Sequence, residues 1–241
     1  MGGIGVLITR TQPGAERTAA TLRGLGYTAL ISPALTVCPS QNPTPALHDI
    51  QAIICTSAHG VVAIANASGA RDLPLFCLAG GSVDMARERG VGGPLHADAI
   101  TARVLSETII ETLAPDKGPV LWVRGRHFAF DMKAALTSQG FTVREWQGYE
   151  ARPASALTKE ASQAIRQGAI KAALFHSARG AKTFLALAQQ SVLSLEKITA
   201  IAMSAEVAAG LENQGFFQVN RAIVPGEAAM IGALQSHLPL P

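Results

Sequence analysis

Four serines stand at junctions between a predicted strand and a predicted helix, and these junctions could do chemistry. They are Ser57, Ser82, Ser177 and Ser204. The first turn of a helix has backbone N–H groups without partners and the positive end of the helix dipole, so it attracts carboxylates and phosphates. Each serine could instead serve only as the N-cap of its own helix. Because four occur at equivalent junctions, we predict a shared anion-binding site.

Basic and phenolic side chains occupy similar positions. Arg10, preceded by Thr9, follows the first predicted strand, and Arg124 follows the matching strand of the second half. Guanidinium groups bind carboxylates through paired hydrogen bonds, although a loop arginine can equally be a solvated surface residue. Tyr149 closes a later strand, where its hydroxyl could donate a hydrogen bond to a ligand or its ring could pack at a hinge.

Several chemistries are disfavoured. His59 and His176 flank two of the serines, but no GxSxG turn and no matching acid accompany them, which argues against a nucleophilic hydrolase. The phosphate-binding and dinucleotide-binding glycine motifs are absent, and the histidines show no metal-like spacing. The cysteines, which have no CxxC spacing, disfavour a disulfide framework or a zinc site; they are Cys38, Cys55 and Cys77. We therefore expect no cofactor and no metal.

The composition is that of a globular protein, with 48% hydrophobic and 15% charged residues. Disordered chains show the reverse balance. A net charge of +3 is too small to indicate a nucleic-acid partner. The N-terminal segment has no signal-peptide pattern, and no apolar run approaches the roughly 20 residues of a membrane span. We expect a cytoplasmic monomer that binds neither nucleic acid nor membrane.

The elements that must position these residues alternate between strand and helix. Strands are predicted at 6–8, 27–31, 52–55, 75–78, 120–123, 141–146, 172–175 and 199–203. Helices are predicted after Pro13, near 61–67, 82–89, 100–113, 128–139, 157–166 and 181–189, before Gly215, and at 227–234. Such alternation is typical of parallel sheets with helices on both faces. Right-handed crossovers then place every strand-to-helix loop on the same edge of a sheet. Segments 33–45 and 150–155, which contain proline, are predicted linkers.

The two halves of the chain resemble each other. Residues 6–10 match residues 120–124, Ser57 matches Ser177, and Gly90 matches Gly215. We predict two similar α/β lobes with a cleft between them, although any strand–helix protein shows some internal similarity of this kind. The residue pattern alone would divide the chain near residue 117.

The order of these motifs resembles that of the uroporphyrinogen-III synthase family. The resemblance spans nearly the whole chain and depends on order and spacing, because each motif alone is unspecific. The matching motifs are Thr9-Arg10, Gly26, Pro33, Thr56-Ser57-Ala58 with Gly60-Val61, Gly90, Leu121–Arg124, Gly140, Tyr149, Phe175-His176-Ser177, and Val224-Pro225 before the last helix.

This resemblance implies a division of the chain that is not linear. Residues 1–36 and 152–241 would form one lobe and residues 37–151 the other, joined by a two-stranded linker. The implied activity is that of a cofactor-free enzyme, a cyclising hydro-lyase of haem biosynthesis. It closes hydroxymethylbilane to uroporphyrinogen III, inverting the last pyrrole ring through a spiro intermediate and releasing water. Two alternatives are a two-lobed anion-binding protein without turnover and an inactive homologue.

The resemblance also implies roles for single residues. Tyr149 would assist departure of the substrate hydroxyl, which makes it the candidate catalytic residue. The sequence departs from the family pattern where Val207 replaces a threonine and Ser204 replaces a glycine. The candidate substrate-binding residues are Thr9, Arg10, Ser57, Ala58, Ser82, Arg124, Ser177, Ala178 and Ser204.

Overall fold

A computed structural model of the chain describes residues 3–67, 72–91 and 93–240. The chain divides into two compact units, of which unit 1 comprises Met1–Thr36 and Arg152–Pro241 and unit 2 comprises Val37–Ala151. A division near residue 117 would therefore cut through unit 2. Residues 1, 2 and 241, which the predicted first lobe includes, lie outside the described residues. None of the described helices is long and apolar enough to cross a lipid bilayer.

Strands and helices alternate along the described residues. The strands are β1 (Gly5–Ile8), β2 (Thr28–Ile31), β3 (Leu35–Pro39), β4 (Ala52–Cys55), β5 (Leu75–Cys77), β6 (Leu95–His96), β7 (Val120–Gly125), β8 (Val143–Pro153), β9 (Ile170–Phe175), β10 (Thr199–Ala202) and β11 (Gln218–Arg221). The helices are α1 (Gly14–Gly24), α2 (Ala58–Ala67), α3 (Gly81–Arg89), α4 (Ala102–Thr112), α5 (Met132–Thr137), α6 (Lys159–Arg166), α7 (Ala178–Gln190), α8 (Ala205–Ala209) and α9 (Glu227–His237). A 3₁₀ turn covers Pro115–Lys117.

Each unit is built on one sheet. In unit 1 the strand order is β2-β1-β9-β10-β11, and all neighbours are parallel. In unit 2 the strands β8-β7-β4-β5-β6 pair in parallel in the same way, and β3 lies beside β8. In unit 1, β1 lies next to β9, the strand that precedes Ser177. In unit 2, β7, which matches β1 in sequence, lies next to β4, the strand that precedes Ser57. The predicted α/β fold with parallel sheets flanked by helices is confirmed.

Both faces of each sheet are buried, which explains the continuous apolar runs of the strands. On β1, Leu7 packs into one hydrophobic cluster while Val6 and Ile8 pack into another. On β4, Ile53 and Cys55 face one cluster and Ile54 faces the other. Side chains on a strand alternate between its faces, so these runs fill two layers of helix–sheet packing.

Several predicted boundaries are wrong, and the reasons are local. The helix predicted at 128–139 is only α5, because residues 128–130 lie in a loop and the Asp131 carboxylate caps the helix at Ala134 N–H, 2.9 Å away. The predicted linkers at 33–45 and 150–155 contain β3 and the end of β8. Their prolines, Pro39 and Pro153, are tolerated because each is the last residue of its strand. Strands β6 and β11 were not predicted, since both are short, partly polar edge strands.

Helix α7 ends on an unusual residue. The N–H groups of Val192 and Leu193 donate to the carbonyls of Gln189 and Ala188, both at 3.0 Å, in the pattern that normally ends on a left-handed glycine. Val192 itself has a φ of 51° and is 89% exposed. A β-branched side chain is strained in this conformation. Because most of the Val192 side chain is exposed, replacing it removes few contacts.

We expect Val192→Gly to raise the free energy of unfolding by about 1 kcal/mol, because the left-handed strain of an L-residue costs roughly that amount. Urea unfolding followed by circular dichroism measures the change. The matched control is Ser191→Gly, where φ is −89° and glycine relieves no strain. A loss of stability in Val192→Gly equal to that in the control would contradict the assignment.

Candidate functional site

The hydroxyl groups of Tyr149 and Ser57 meet in unit 2, where Ser57 follows the carboxyl end of β4. Tyr149 was predicted to close its strand but lies inside β8, which continues to Pro153. Tyr149 Oη lies 2.7 Å from Ser57 Oγ, and either oxygen can donate. Ser57 directly precedes α2, and its Oγ also accepts a hydrogen bond from Gly60 N–H at 3.3 Å. Ser57 is thus both a helix-capping residue and the partner of the tyrosine, so the two interpretations of this serine are compatible.

Gly125 makes room for the tyrosine. A Cβ at this last residue of β7 would lie 2.8 Å from Cε2 of Tyr149 and 3.2 Å from its hydroxyl oxygen. Burial raises the pKa of Tyr149 above its ordinary value, although hydrogen bonds from Ser57 and the Gly125 backbone act in the opposite direction. The phenol therefore keeps its proton at neutral pH and is available as a hydrogen-bond donor or general acid.

Arg124, on the same strand as Gly125, is held by its own unit. Its Nε donates to Glu145 Oε1 at 2.7 Å, and its Nη1 donates to the Gly125 carbonyl at 3.1 Å. The guanidinium carbon lies 5.1 Å from the ring centre of Phe128, within cation–π range. The predicted contact of Arg124 with a substrate carboxylate stays a prediction. Glu145 also binds Lys133 Nζ at 3.0 Å, so this one carboxylate is shared between two cations.

The other two predicted residues of unit 2 differ in accessibility. Ala58 is the half-buried first residue of α2, next to Ser57. Ser82, predicted to stand at a helix start and contact the substrate, is only 6% exposed and lies inside α3, whose N-cap is Gly80. Because its hydroxyl is buried in the first turn, a substrate contact through Ser82 is not supported by the structure.

In unit 1 the predicted serines cap adjacent helices. Ser177 Oγ accepts from Gly180 N–H at 3.1 Å, and Ser204 Oγ accepts from Val207 N–H at 3.4 Å. Because β9 and β10 are neighbours, both caps lie on one edge of the sheet, with Ala178 opening α7. Val207 is buried in the core, so its position contributes only a backbone N–H to this edge.

Thr9 and Arg10, predicted to bind substrate, have partners within unit 1. Thr9 is 3% exposed, and its hydroxyl donates to the Leu174 carbonyl at 2.7 Å, which ties β1 to β9. Its side chain has almost no surface to offer a ligand, so a direct contact through Thr9 is not supported. Arg10 Nη1 binds Glu227 Oε2 at 2.6 Å.

Glu227 is the centre of a polar cluster that the sequence does not reveal. Besides Arg10, it accepts a short hydrogen bond from the Thr18 hydroxyl, and its Oε2 lies 3.2 Å from His176 Nε2. These partners come from the end of β1, from α1 and from the end of β9, so the carboxylate joins three segments to α9. The only sequence signal was a glutamate in the first turn of a helix, a common and uninformative position.

The electrostatics of this cluster fix the protonation of its members. Burial raises the pKa of Glu227, but hydrogen bonds from His176 and Thr18 and the charge of Arg10 lower it more, to about 2. Burial lowers the pKa of His176, so the ring is neutral and its Nε2–H donates to the carboxylate. His176 is thus hydrogen-bonded to Glu227, which agrees with the prediction that the protein is not a serine–histidine hydrolase.

No group of three or more His, Cys, Asp or Glu side chains suited to a metal ion occurs within residues 3–67, 72–91 and 93–240. Cys55 and Cys77 are register partners on the neighbouring strands β4 and β5 and are inaccessible to solvent. Burial raises the pKa of both thiols, which makes them unreactive at neutral pH.

Comparison with known proteins decides the family. The profile of the family described as uroporphyrinogen-III synthase HemD matches residues 16–232. The chain belongs to the uroporphyrinogen-III synthase family. It is thus an enzyme of tetrapyrrole biosynthesis in a family of cyclising lyases. A comparison with curated proteins finds no match.

Two crystal structures of uroporphyrinogen-III synthases share the fold. That from Helicobacter pylori is 18% identical, with a TM-score of 0.62 over 97% of this chain and 99% of its own. That of a mutant enzyme from the extremely thermophilic bacterium Thermus thermophilus is 17% identical, with a TM-score of 0.50 over 98% of each chain. At such low identity these matches show the fold.

We expect Glu227→Gln to lower the free energy of unfolding by roughly 1–2 kcal/mol at pH 7, because it weakens hydrogen bonds made to a charged acceptor. The Glu227 side chain is 35% exposed, so solvent screening keeps the effect modest. A carboxylate with a folded-state pKa of about 2 makes its full contribution to stability at any pH above its unfolded pKa of about 4.5. This contribution is lost as the pH falls toward 2.

Chemical unfolding between pH 7 and pH 2 tests this expectation. The fall in stability below pH 4.5 is expected to be shallower in Glu227→Gln than in wild type. Glu212→Gln, at an exposed residue of the same unit, is the control and leaves the profile unchanged. Identical acid profiles for wild type and Glu227→Gln would show that Glu227 is not held as described.

Proposed function

We propose that this protein closes hydroxymethylbilane to uroporphyrinogen III, with inversion of the last pyrrole ring and release of water. Membership of the synthase family supports the reaction. The observation that carries the mechanism is the 2.7 Å contact between the Tyr149 and Ser57 hydroxyls, because it fixes a protonated phenol beside the start of α2 in unit 2. A binding protein without turnover is not favoured, since the family consists of enzymes.

The phenol of Tyr149 acts as the general acid. It donates its proton to the terminal hydroxyl of the substrate as the carbon–oxygen bond breaks, so that water leaves and an azafulvene remains. Ser57 stabilises the phenolate by donating its own hydroxyl hydrogen to it. The azafulvene carbon is attacked by the substituted carbon of the last ring, and the spiro intermediate fragments and recloses. The proton released when the last ring regains aromaticity returns to Tyr149, which balances the cycle.

Four further candidate residues bind the carboxylate arms of the substrate. Ser177 and Ala178 at the start of α7, and Ala58 at the start of α2, place backbone N–H groups and the helix dipole near bound anions. Ser204 adds a hydroxyl on the neighbouring strand end. Holding the bilane folded supplies orientation, which determines whether the substituted carbon of the last ring is attacked.

The product isomers test the proposed function directly. Purified protein is incubated with hydroxymethylbilane, and the uroporphyrinogens are oxidised and separated by chromatography. Spontaneous closure yields the isomer with the last ring not inverted, so an excess of the inverted isomer, proportional to protein concentration, is the expected result. A product mixture equal to that of the protein-free reaction would reject the proposal.

We expect Tyr149→Phe to lower kcat about 100-fold, since removing a positioned general acid typically costs that much. The matched control is Tyr27→Phe, the other tyrosine of the chain, whose hydroxyl donates to the Leu238 carbonyl and contacts no candidate site residue. Thermal unfolding checks that both variants fold. Wild-type turnover by Tyr149→Phe would remove this residue from the mechanism.

A further inference from the structure

A groove of about 380 Å³ runs through unit 2 from Tyr149 along one side of α2. Its floor is formed by Trp146 and Gly148 of β8, both buried. Val37 and Val62 form apolar walls. A cavity of this size, with apolar walls, several polar groups and a residue of shifted pKa, has the character of a small-molecule site.

Polar side chains lie both at the mouth of the groove and at its Tyr149 end, where His59 lines it. Asn42, Thr44 and Asn66 are exposed at the rim. Among the described residues that line the groove, none is a lysine, arginine, aspartate or glutamate. The rim can donate neutral hydrogen bonds to anionic arms, while the interior suits an uncharged flat ring.

Close packing between β8 and α2 shapes the floor. A Cβ at Gly148 would lie 2.9 Å from the Ala63 methyl carbon and 3.1 Å from Cζ3 of Trp146. The glycine therefore lets the indole and the helix approach each other. At the Tyr149 end, the His59 ring lies 5.5 Å from the phenol ring, centre to centre, and closes that side.

We propose that this groove is the subsite for the pyrrole ring that carries the hydroxymethyl group of the substrate. This inference rests on the proposed function. Tyr149 protonates the departing hydroxyl, which is attached to that ring through a single carbon, so the ring must occupy the space beside the phenol. Asn42 and Asn66 then receive its carboxylate arms at the rim.

The absence of lysine and arginine among the described lining residues favours the same ring. Loss of the hydroxyl leaves positive charge on the pyrrole, and a nearby lysine or arginine would oppose its development. Apolar walls also shield the azafulvene from water, which would otherwise add back to it. Arginines that bind carboxylates are therefore better placed elsewhere on the chain.

The probe for this subsite is porphobilinogen, a single pyrrole with acetate, propionate and aminomethyl substituents. Isothermal titration measures its Kd with wild-type protein and with two variants that obstruct the groove. Val62→Phe narrows the wall, and Asn66→Trp covers the mouth from an exposed position that is not part of the core. Ala134→Phe, at an exposed helical alanine of unit 2 outside the groove, is the matched control.

We expect both obstructing variants to raise the Kd for porphobilinogen, and the KM for hydroxymethylbilane, about tenfold or more, as befits the loss of a well-filled pocket worth roughly 1.4 kcal/mol. The control is expected to leave both constants unchanged. If wild-type protein does not bind porphobilinogen, or if both obstructing variants bind it as wild type does, the subsite is rejected.

The two proposals fail in distinguishable ways. If both variants keep the wild-type KM while making the inverted isomer, the subsite is rejected and the proposed function stands. If the variants abolish porphobilinogen binding and the wild-type protein makes no inverted isomer, the groove is supported and the proposed function is rejected.

Discussion

The proposed chemistry depends on a close approach between β7 and β8 in unit 2. The ring of Tyr149 packs over Gly125 at a distance that excludes any side chain there. This contact lets the phenol reach Ser57 at the start of α2 while remaining largely buried, and burial raises the pKa of the phenol above its ordinary value. A tyrosine on a longer or less tightly packed strand end would be solvated, and its hydroxyl would have no fixed direction. The acid, its hydrogen-bond partner and the adjoining groove therefore share one packing constraint.

The two arginines at matching strand ends show how the chain controls its own charge. Arg10 binds Glu227, and Arg124 binds Glu145. Each guanidinium is thus oriented by a carboxylate of its own unit, and Glu145 is shared with Lys133. The proposed anion binding also uses N–H groups at helix starts, those of α2 within unit 2 and those of α7 within unit 1, because the fold fixes them and they require no counter-ion. A substrate with many carboxylates can be held in this way without a strongly basic surface, which agrees with the small net charge of the chain.

Much of the architecture could be predicted because its signals are local. The apolar runs at β1, β4, β7, β9 and β10 fill both faces of a parallel sheet, and such runs are visible in the sequence. The helix predicted at 82–89 forms α3, and Gly90 directly after it ends the helix in a left-handed conformation that glycine adopts without strain. The edge strands β6 and β11 were missed because hydrogen bonding to a neighbour, and not their own composition, makes them strands. The end of β8 was missed because its proline suggested a linker.

The sequence by itself determined the alternation of strands and helices, the family, and the positions of the capping serines Ser57, Ser177 and Ser204. Each of these depends on residue type and on neighbours a few positions away. Tertiary structure alone decided that Ser82 and Thr9 are buried, that Glu227 joins Arg10, Thr18 and His176, and that Tyr149 contacts Ser57. These contacts link residues up to 217 positions apart. Burial and hydrogen bonding between such residues depend on how strands order within a sheet, which local residue patterns do not encode.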